Sequence, residues 1–164
     1  MRTSAAGVDL VAFFEGFRAT PYDDAAGHAT VGYGHLIARR PVAARDRADR
    51  WLPDQATPGR LSEPEARRLL AHDLARDYEP QVRALGLALN QHRFDALVSF
   101  IYNVGAGAIA PETAIGRALR HGAWRAAADD MLRWNRAGGR VLPGLTRRRR
   151  AERSLFLGRP SATG

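Results

Sequence analysis

"FFEGFRATPYDDAAGHATVGYGH", residues 13–35, interrupts a chain that otherwise reads as helix. Before it, Val8, Val11 and Phe14 fall on one helical face behind Ser4, a side chain suited to an N-cap. A first helix is therefore expected to run from Ser4 to Phe14 or Glu15. From Arg18 to His35 the period changes. Small and turn residues alternate with Thr30, Val31 and Tyr33, which reads as two or three short strands joined by tight turns. The stretch thus ends a helix on one acid, Glu15, and sets two more, Asp23 and Asp24, in a turn-rich segment between Pro21 and Gly27.

Downstream, residues 39–60 are polar, basic and punctuated by prolines, and read as a loop with one helical turn. "SEPEARRLLAHDLARDYEPQVRAL", residues 62–85, opens with Ser62-x-x-Glu65, a capping-box pattern, and carries an apolar stripe of Leu69, Leu70, Leu74 and Tyr78. It is the longest helical pattern, with a kink expected at Pro80. The remainder reads as a helical lobe. Asn90 caps a helix through Phe94, Leu97, Val98 and Ile101 that ends near Gly105. Further helices are expected from Pro111 to Gly122, from Trp124 through Met131 and Trp134 to a Gly138–Gly139 turn, and from Thr146 to Leu157. Mostly helices with one small early sheet defines an α+β fold.

With 164 residues and 45% hydrophobic content, the chain can bury a core without staples. It has no cysteine, which excludes a disulfide framework and thiolate metal sites. The opening "MRTSAAGVDLVAFFEGF" lacks the pattern of a signal peptide, and no run approaches the ~18 apolar residues of a membrane span. A cytosolic protein without stable membrane insertion is expected. The formal charge is +8, and all 25 basic residues are arginine. Such a surface favours an anionic partner, be it nucleic acid, lipid or acidic wall polymer.

The acids carry two readings each. Glu15 follows Phe13 and Phe14 at a helix end, where it is either a solvated carboxylate or an acid kept neutral by apolar neighbours, as a general acid requires. Asp23 and Asp24 either hydrogen-bond their own turn or point one carboxylate across a cleft at Glu15. Thr30 is a good strand residue whose hydroxyl is also placed to hold a water. His28 and His35 lack the spacing of a metal pair, and His35 suits a structural hydrogen bond. Among Arg147 to Arg150, Arg148 shares a helix face with Ala151 and Leu155, which makes it the inward candidate.

Glu15, eight residues, Asp24, five residues, Thr30, then Gly32-Tyr33-Gly34-His35 resembles the phage-type lysozymes, the muramidase endolysins of T-even and lambdoid phages. Arg18, Tyr22 and Gly27 complete that motif. "LSEPEARRLLAHDL", "LVSFIYNVGAGA" and "LRWNRAGGRVLPGLTRRRRAERSLF" extend the likeness along nearly the whole chain. One departure stands out: "APET", residues 110–113, replaces the Ser-Thr pair of many relatives.

The resemblance implies a single lysozyme-like domain: an N-terminal lobe over residues 13–60, a connecting helix over 62–85, and a helical lobe over 86–158 packing with helix 4–14. Peptidoglycan glycan strands would bind in a cleft between the lobes. Glu15 would protonate the glycosidic oxygen, Asp24 would stand on the opposite side of the sugar, and Thr30 would help hold the attacking water. Leu36, Tyr102 and Asn103 would line the substrate site, with His35, Asp73 and Arg148 in support. A monomer without metal or cofactor would cleave the β-1,4 bond between N-acetylmuramic acid and N-acetylglucosamine, after holin-type release from the host cytoplasm. Two competitors are a lytic transglycosylase, against which Asp24 and Thr30 argue, and a non-catalytic cationic protein binding nucleic acid or membranes, which would not need Glu15.

Overall fold

The computed structural model describes residues 1–159. Two compact units divide the chain, one of residues 11–73 and one of residues 1–10 with those from Leu74 onward. Helix α1 (Ala5–Glu15) begins in the second and ends in the first. Ser4 caps it as expected, its hydroxyl accepting from the Gly7 amide at 3.3 Å.

In residues 11–73, strands β1 (Arg18–Asp23), β2 (Ala29–Gly32) and β3 (His35–Ala38) form an antiparallel sheet in sequence order. Every residue of β2 is buried. Helix α2 (Glu63–Asp73) packs against β2 and β3, and the Tyr33 hydroxyl donates to Glu63 at 3.0 Å. The capping box forms: the Glu65 carboxylate accepts from the Ser62 amide at 2.7 Å and the Ser62 hydroxyl at 2.6 Å.

The loop between β3 and α2 contains the expected single helical turn, a 3₁₀ turn at Ala44–Ala48. Two buried polar side chains order it. Asp46 takes two hydrogen bonds from Arg40 at 2.7 Å and one from the Ala43 amide. Gln55 accepts from the Trp51 amide and donates to the Thr57 and Arg60 carbonyls. A long loop can be this regular because its backbone groups find partners inside it.

The division into units falls inside a continuous helical run. After α2 comes a wider π turn at Leu74–Tyr78, followed by α3 (Glu79–Arg83). Pro80 explains the change: its ring lacks an N–H and crowds the carbonyl four residues back, and a π turn loosens that ladder.

In the second unit, α4 (Gln91–Val104) is the centre of the core, buried from Phe94 to Ile101 and capped by Asn90 as expected. Helix α7 (Pro143–Phe156) packs along it, and α5 (Ala114–Arg120) packs on α6 (Trp124–Met131). Three boundaries differ from the sequence reading. Helix α5 starts at Ala114 instead of Pro111, because a 3₁₀ turn at Ala106–Ile109 comes first and Thr113 is the N-cap, accepting from the Gly116 amide at 2.9 Å. Thr113 therefore supplies the cap within the unusual "APET" segment.

Helix α6 ends at Met131, and Trp134 lies beyond it. The chain there forms a hairpin of β4 (Arg136–Ala137) and β5 (Arg140–Val141) around Gly138–Gly139. Helix α7 then starts early, with Pro143 in its first turn, where a missing N–H costs nothing. No described helix is long and apolar enough to cross a membrane.

Candidate active site

Glu15 is the last residue of α1 and is half-buried. The aromatic shelter expected for it is incomplete, because Phe13 is 64% exposed. Strand β1 starts three residues later and carries Tyr22 into the sheet. There Tyr22 pairs with Thr30 of β2, which pairs in turn with Leu36 of β3. Residues directly opposite on neighbouring strands project to the same face. Tyr22, Thr30 and Leu36 therefore form one row across the sheet, half-buried, buried and exposed in that order.

The two aspartates separate cleanly. Asp23 accepts from the Val42 amide at 2.7 Å and so ties the end of β1 to the loop after β3. Asp24 opens the β1–β2 turn. Its Oδ1 accepts from the Ala26 amide at 2.8 Å and the His28 amide at 2.9 Å, and the His28 ring stands 3.8 Å from Oδ2. The His28 amide foremost, aided by the Ala26 amide, holds the Asp24 carboxyl below its ordinary range despite some desolvation. Turn bonding and a functional carboxylate are thus compatible: one oxygen is anchored and the other is oriented. Thr30 is 3% exposed and its hydroxyl donates to the His28 carbonyl at 3.0 Å.

Tyr22 connects these groups. Burial foremost raises its phenol, against the opposing charge of Arg18, and both Glu15 and Asp24 raise it further through their charge. Two carboxylates act on one phenol, so both lie within electrostatic reach of the Tyr22–Thr30–Leu36 row. Beside the row, His35 Nδ1 lies 2.7 Å from Asp73 Oδ2, which fixes β3 to the end of α2. The structural hydrogen bond expected of His35 is present.

The other residues singled out in the sequence belong to the second unit. The Tyr102 ring packs tilted against Tyr78, their centres 4.9 Å apart. Asn103 Oδ1 accepts from Arg149 at 2.9 Å. The run Arg147–Arg150 sends two side chains inward where one was expected: Arg148 is 3% and Arg149 0% exposed. Both bond Glu152, which is itself 0% exposed. Burial pushes the Glu152 carboxyl up, opposed by Arg149 and Arg148. Sequence reasoning chose Arg148 from the run with the register open by one residue, and passed over Glu152 and Ser99, a third partner of Glu152 at 2.8 Å. The available signal was the placement of Glu152 three and four residues after two arginines, the helical spacing of an ion pair.

Comparison with known proteins identifies the family and the fold. The Phage lysozyme family matches residues 12–152. The endolysin of Bacillus phage B103 is 36% identical over 96% of this chain, although the chain spans only 54% of that relative's length. The endolysin of Salmonella phage P22 is 33% identical, with 96% of this chain and 99% of that protein aligned. A crystal structure of a P22 lysozyme point mutant superposes with a TM-score of 0.76 at 32% identity, covering 96% of this chain and 99% of the other. The acid-bearing helix end, the three-stranded sheet and the extent of these matches lead to one assignment: the chain belongs to the phage lysozyme family.

Proposed function

We propose that the protein is an endolysin that hydrolyses the β-1,4 bond between N-acetylmuramic acid and N-acetylglucosamine in bacterial peptidoglycan, with inversion at the anomeric carbon. The observation that carries this reading is geometric: Glu15 ends α1 three residues before β1, and Asp24 follows β1 with its Oδ1 held by two amides, beside the row that holds Thr30 and Leu36. Glycoside hydrolysis needs two carboxyl groups in different environments, one to give a proton and one to stay ionised. Glu15 protonates the glycosidic oxygen. Asp24, held ionised by backbone amides, acts on the attacking water.

Thr30 refines the water's orientation. Its proton is committed to the His28 carbonyl, so towards a water its oxygen is an acceptor. Asp24 Oδ1 is likewise committed to two amides, which leaves Oδ2 to take a proton. A water that donates one hydrogen to Thr30 and one to Asp24 Oδ2 turns a lone pair towards the anomeric carbon. Leu36, 43% exposed next to Thr30, offers an apolar surface to a sugar ring. Tyr102 and Asn103, in the second unit, are the other sugar contacts that the family resemblance implies. The protein acts as a monomer without metal or cofactor, synthesised in the host cytoplasm and released to the wall by a holin-type route.

Glu15→Gln keeps the shape and removes the proton donor, so lysis of wall suspensions should fall ~10²–10⁴-fold with folding intact. NMR of the earliest wild-type products should show the α-anomer before mutarotation. A folded Glu15→Gln that keeps most activity removes Glu15 from the chemistry. A first-formed β-anomer or an anhydro sugar removes the water-directing roles of Asp24 and Thr30.

A further inference from the structure

The second unit buries three charged side chains, Arg148, Arg149 and Glu152, in contact with one another. Buried ion pairs are seldom superior to apolar packing of equal volume, so stability alone is a weak reason for such a cluster. Its geometry gives a better one. Glu152 Oε1 accepts from Ser99 Oγ at 2.8 Å, Arg148 Nε at 3.1 Å and Arg149 Nη2 at 3.1 Å. Its Oε2 lies 2.7 Å from Arg149 Nε. Both guanidiniums are therefore fixed from below by one carboxylate on the next turn of α7.

What the guanidiniums then touch is specific. Arg149 Nη2 donates to Asn103 Oδ1 at 2.9 Å. Arg148 donates to the Ser99 carbonyl at 3.3 Å and stands 5.9 Å from the ring centre of Tyr102. Asn103 is exposed, while Arg149 beneath it is fully buried. A guanidinium can only donate, so it accepts no other amide orientation than oxygen inward. The Asn103 amino group must turn the other way and present two N–H donors.

We infer that Glu152 is a positioning residue for glycan binding, holding Arg149 so that Asn103 exposes its amino group as a donor to an oxygen of the sugar chain. This rests on the reading of Asn103 as a sugar contact. The chemistry expected of the ligand at this position is an acceptor, either an acetamido carbonyl or a hydroxyl oxygen.

The test is kinetic, on a soluble tetrasaccharide of alternating N-acetylglucosamine and N-acetylmuramic acid. Asn103→Asp still accepts from Arg149, now with charge assistance, but has no proton to give a sugar at neutral pH. KM should rise about tenfold with kcat within about twofold, and the melting temperature should hold or increase. Arg149→Lys should also raise KM, because one ammonium cannot fork to Glu152 and Asn103 together. Glu152→Gln should raise KM by a similar factor, and its effect should not add to that of Asn103→Asp.

Arg149→Lys retains a charge on Glu152 and carries the test if Glu152→Gln does not fold. Calorimetric Kd values for the tetrasaccharide, measured in a Glu15→Gln background, separate binding from turnover. Unchanged KM and Kd in Asn103→Asp overturn the sugar contact and the inference with it. A weakened Asn103→Asp beside unchanged Arg149→Lys and Glu152→Gln leaves the contact intact and overturns the role of Glu152.

Discussion

Asp24, Asp46 and Glu65 are among the carboxylates held by backbone amides, each chiefly by neighbours close along the chain. Asp24 takes two amides of its own turn, and Asp46 takes the Ala43 amide together with Arg40. Glu65 takes the Ser62 hydroxyl, the Ser62 amide and the Ala56 amide at 2.6–2.7 Å. Hydrogen bonds to the charged form favour it, and those to Glu65, the Ser62 hydroxyl foremost, lower its pKa from 4.5 to about 2. A depressed folded pKa contributes stability that is complete above the ordinary value and lost as pH falls through the folded one. The Glu65 contribution should thus fade between pH 4.5 and about 2. Glu65→Gln should be less stable near neutrality, and the gap between its urea midpoint and that of wild type should close across this window. Parallel midpoint curves down to about pH 2 would remove Glu65 from the acid sensitivity of the fold.

Asp24 and Glu65 were legible in the sequence for the same reason: turn and cap chemistry depends on close neighbours along the chain. The roles proposed for Glu15, Asp24 and Thr30 rest on family resemblance, since each side chain also has an ordinary structural use. Arg149 and Glu152 were hidden by composition. A run of four arginines looks like a solvated face, and only tertiary packing reveals that two point inward.

At the scale of elements, local signals marked helices well where a cap was present. Ser4, Ser62 and Asn90 each sit at the start they announce. The failures occur where a short element intervenes. Two-residue strands have no period to detect, so β4 was absorbed into a longer α6 pattern and β5 went unseen beyond the Gly138–Gly139 turn. The 3₁₀ turn at Ala106–Ile109 displaced the start of α5 from Pro111 to Ala114. This displacement makes Gly116 a sensitive position. A Cβ there would lie 1.9 Å from the Ala110 carbonyl oxygen and 2.8 Å from that of Ile109, both backbone atoms. Alanine ordinarily gains ~0.5–1 kcal/mol over glycine within a helix. Overpacking costs ~1–3 kcal/mol, so the clash should win and Gly116→Ala should be destabilised. A Cβ on Gly144, in the first turn of α7, would meet nothing within 4 Å. Gly144→Ala should therefore show the unopposed gain. Thermal or urea unfolding of the two variants should give shifts of opposite sign.

Over the whole molecule, the charge of +8 is a property of surface as well as count, because Arg39, Arg45, Arg47, Arg136, Arg140, Arg147 and Arg150 are all exposed. A cationic protein meets an anionic wall faster than a neutral one, and the benefit is long-range, so salt removes it. At about 0.15 M salt the screening length is ~8 Å, and charges further apart than this barely act on each other. The chemistry proposed for Glu15 and Asp24 works at contact distance and should be much less sensitive. The initial rate of lysis on intact anionic walls should therefore drop several-fold as sodium chloride rises from ~20 to ~300 mM. Cleavage of a short soluble glycan fragment, which offers few charges, should change by less than about twofold over the same range. Charge reversal at Arg147 and Arg150 should flatten the salt profile on walls and leave the soluble reaction nearly unchanged. Equal salt slopes on the two substrates would show that the charge acts on the chemical site itself and has no separate role in wall encounter.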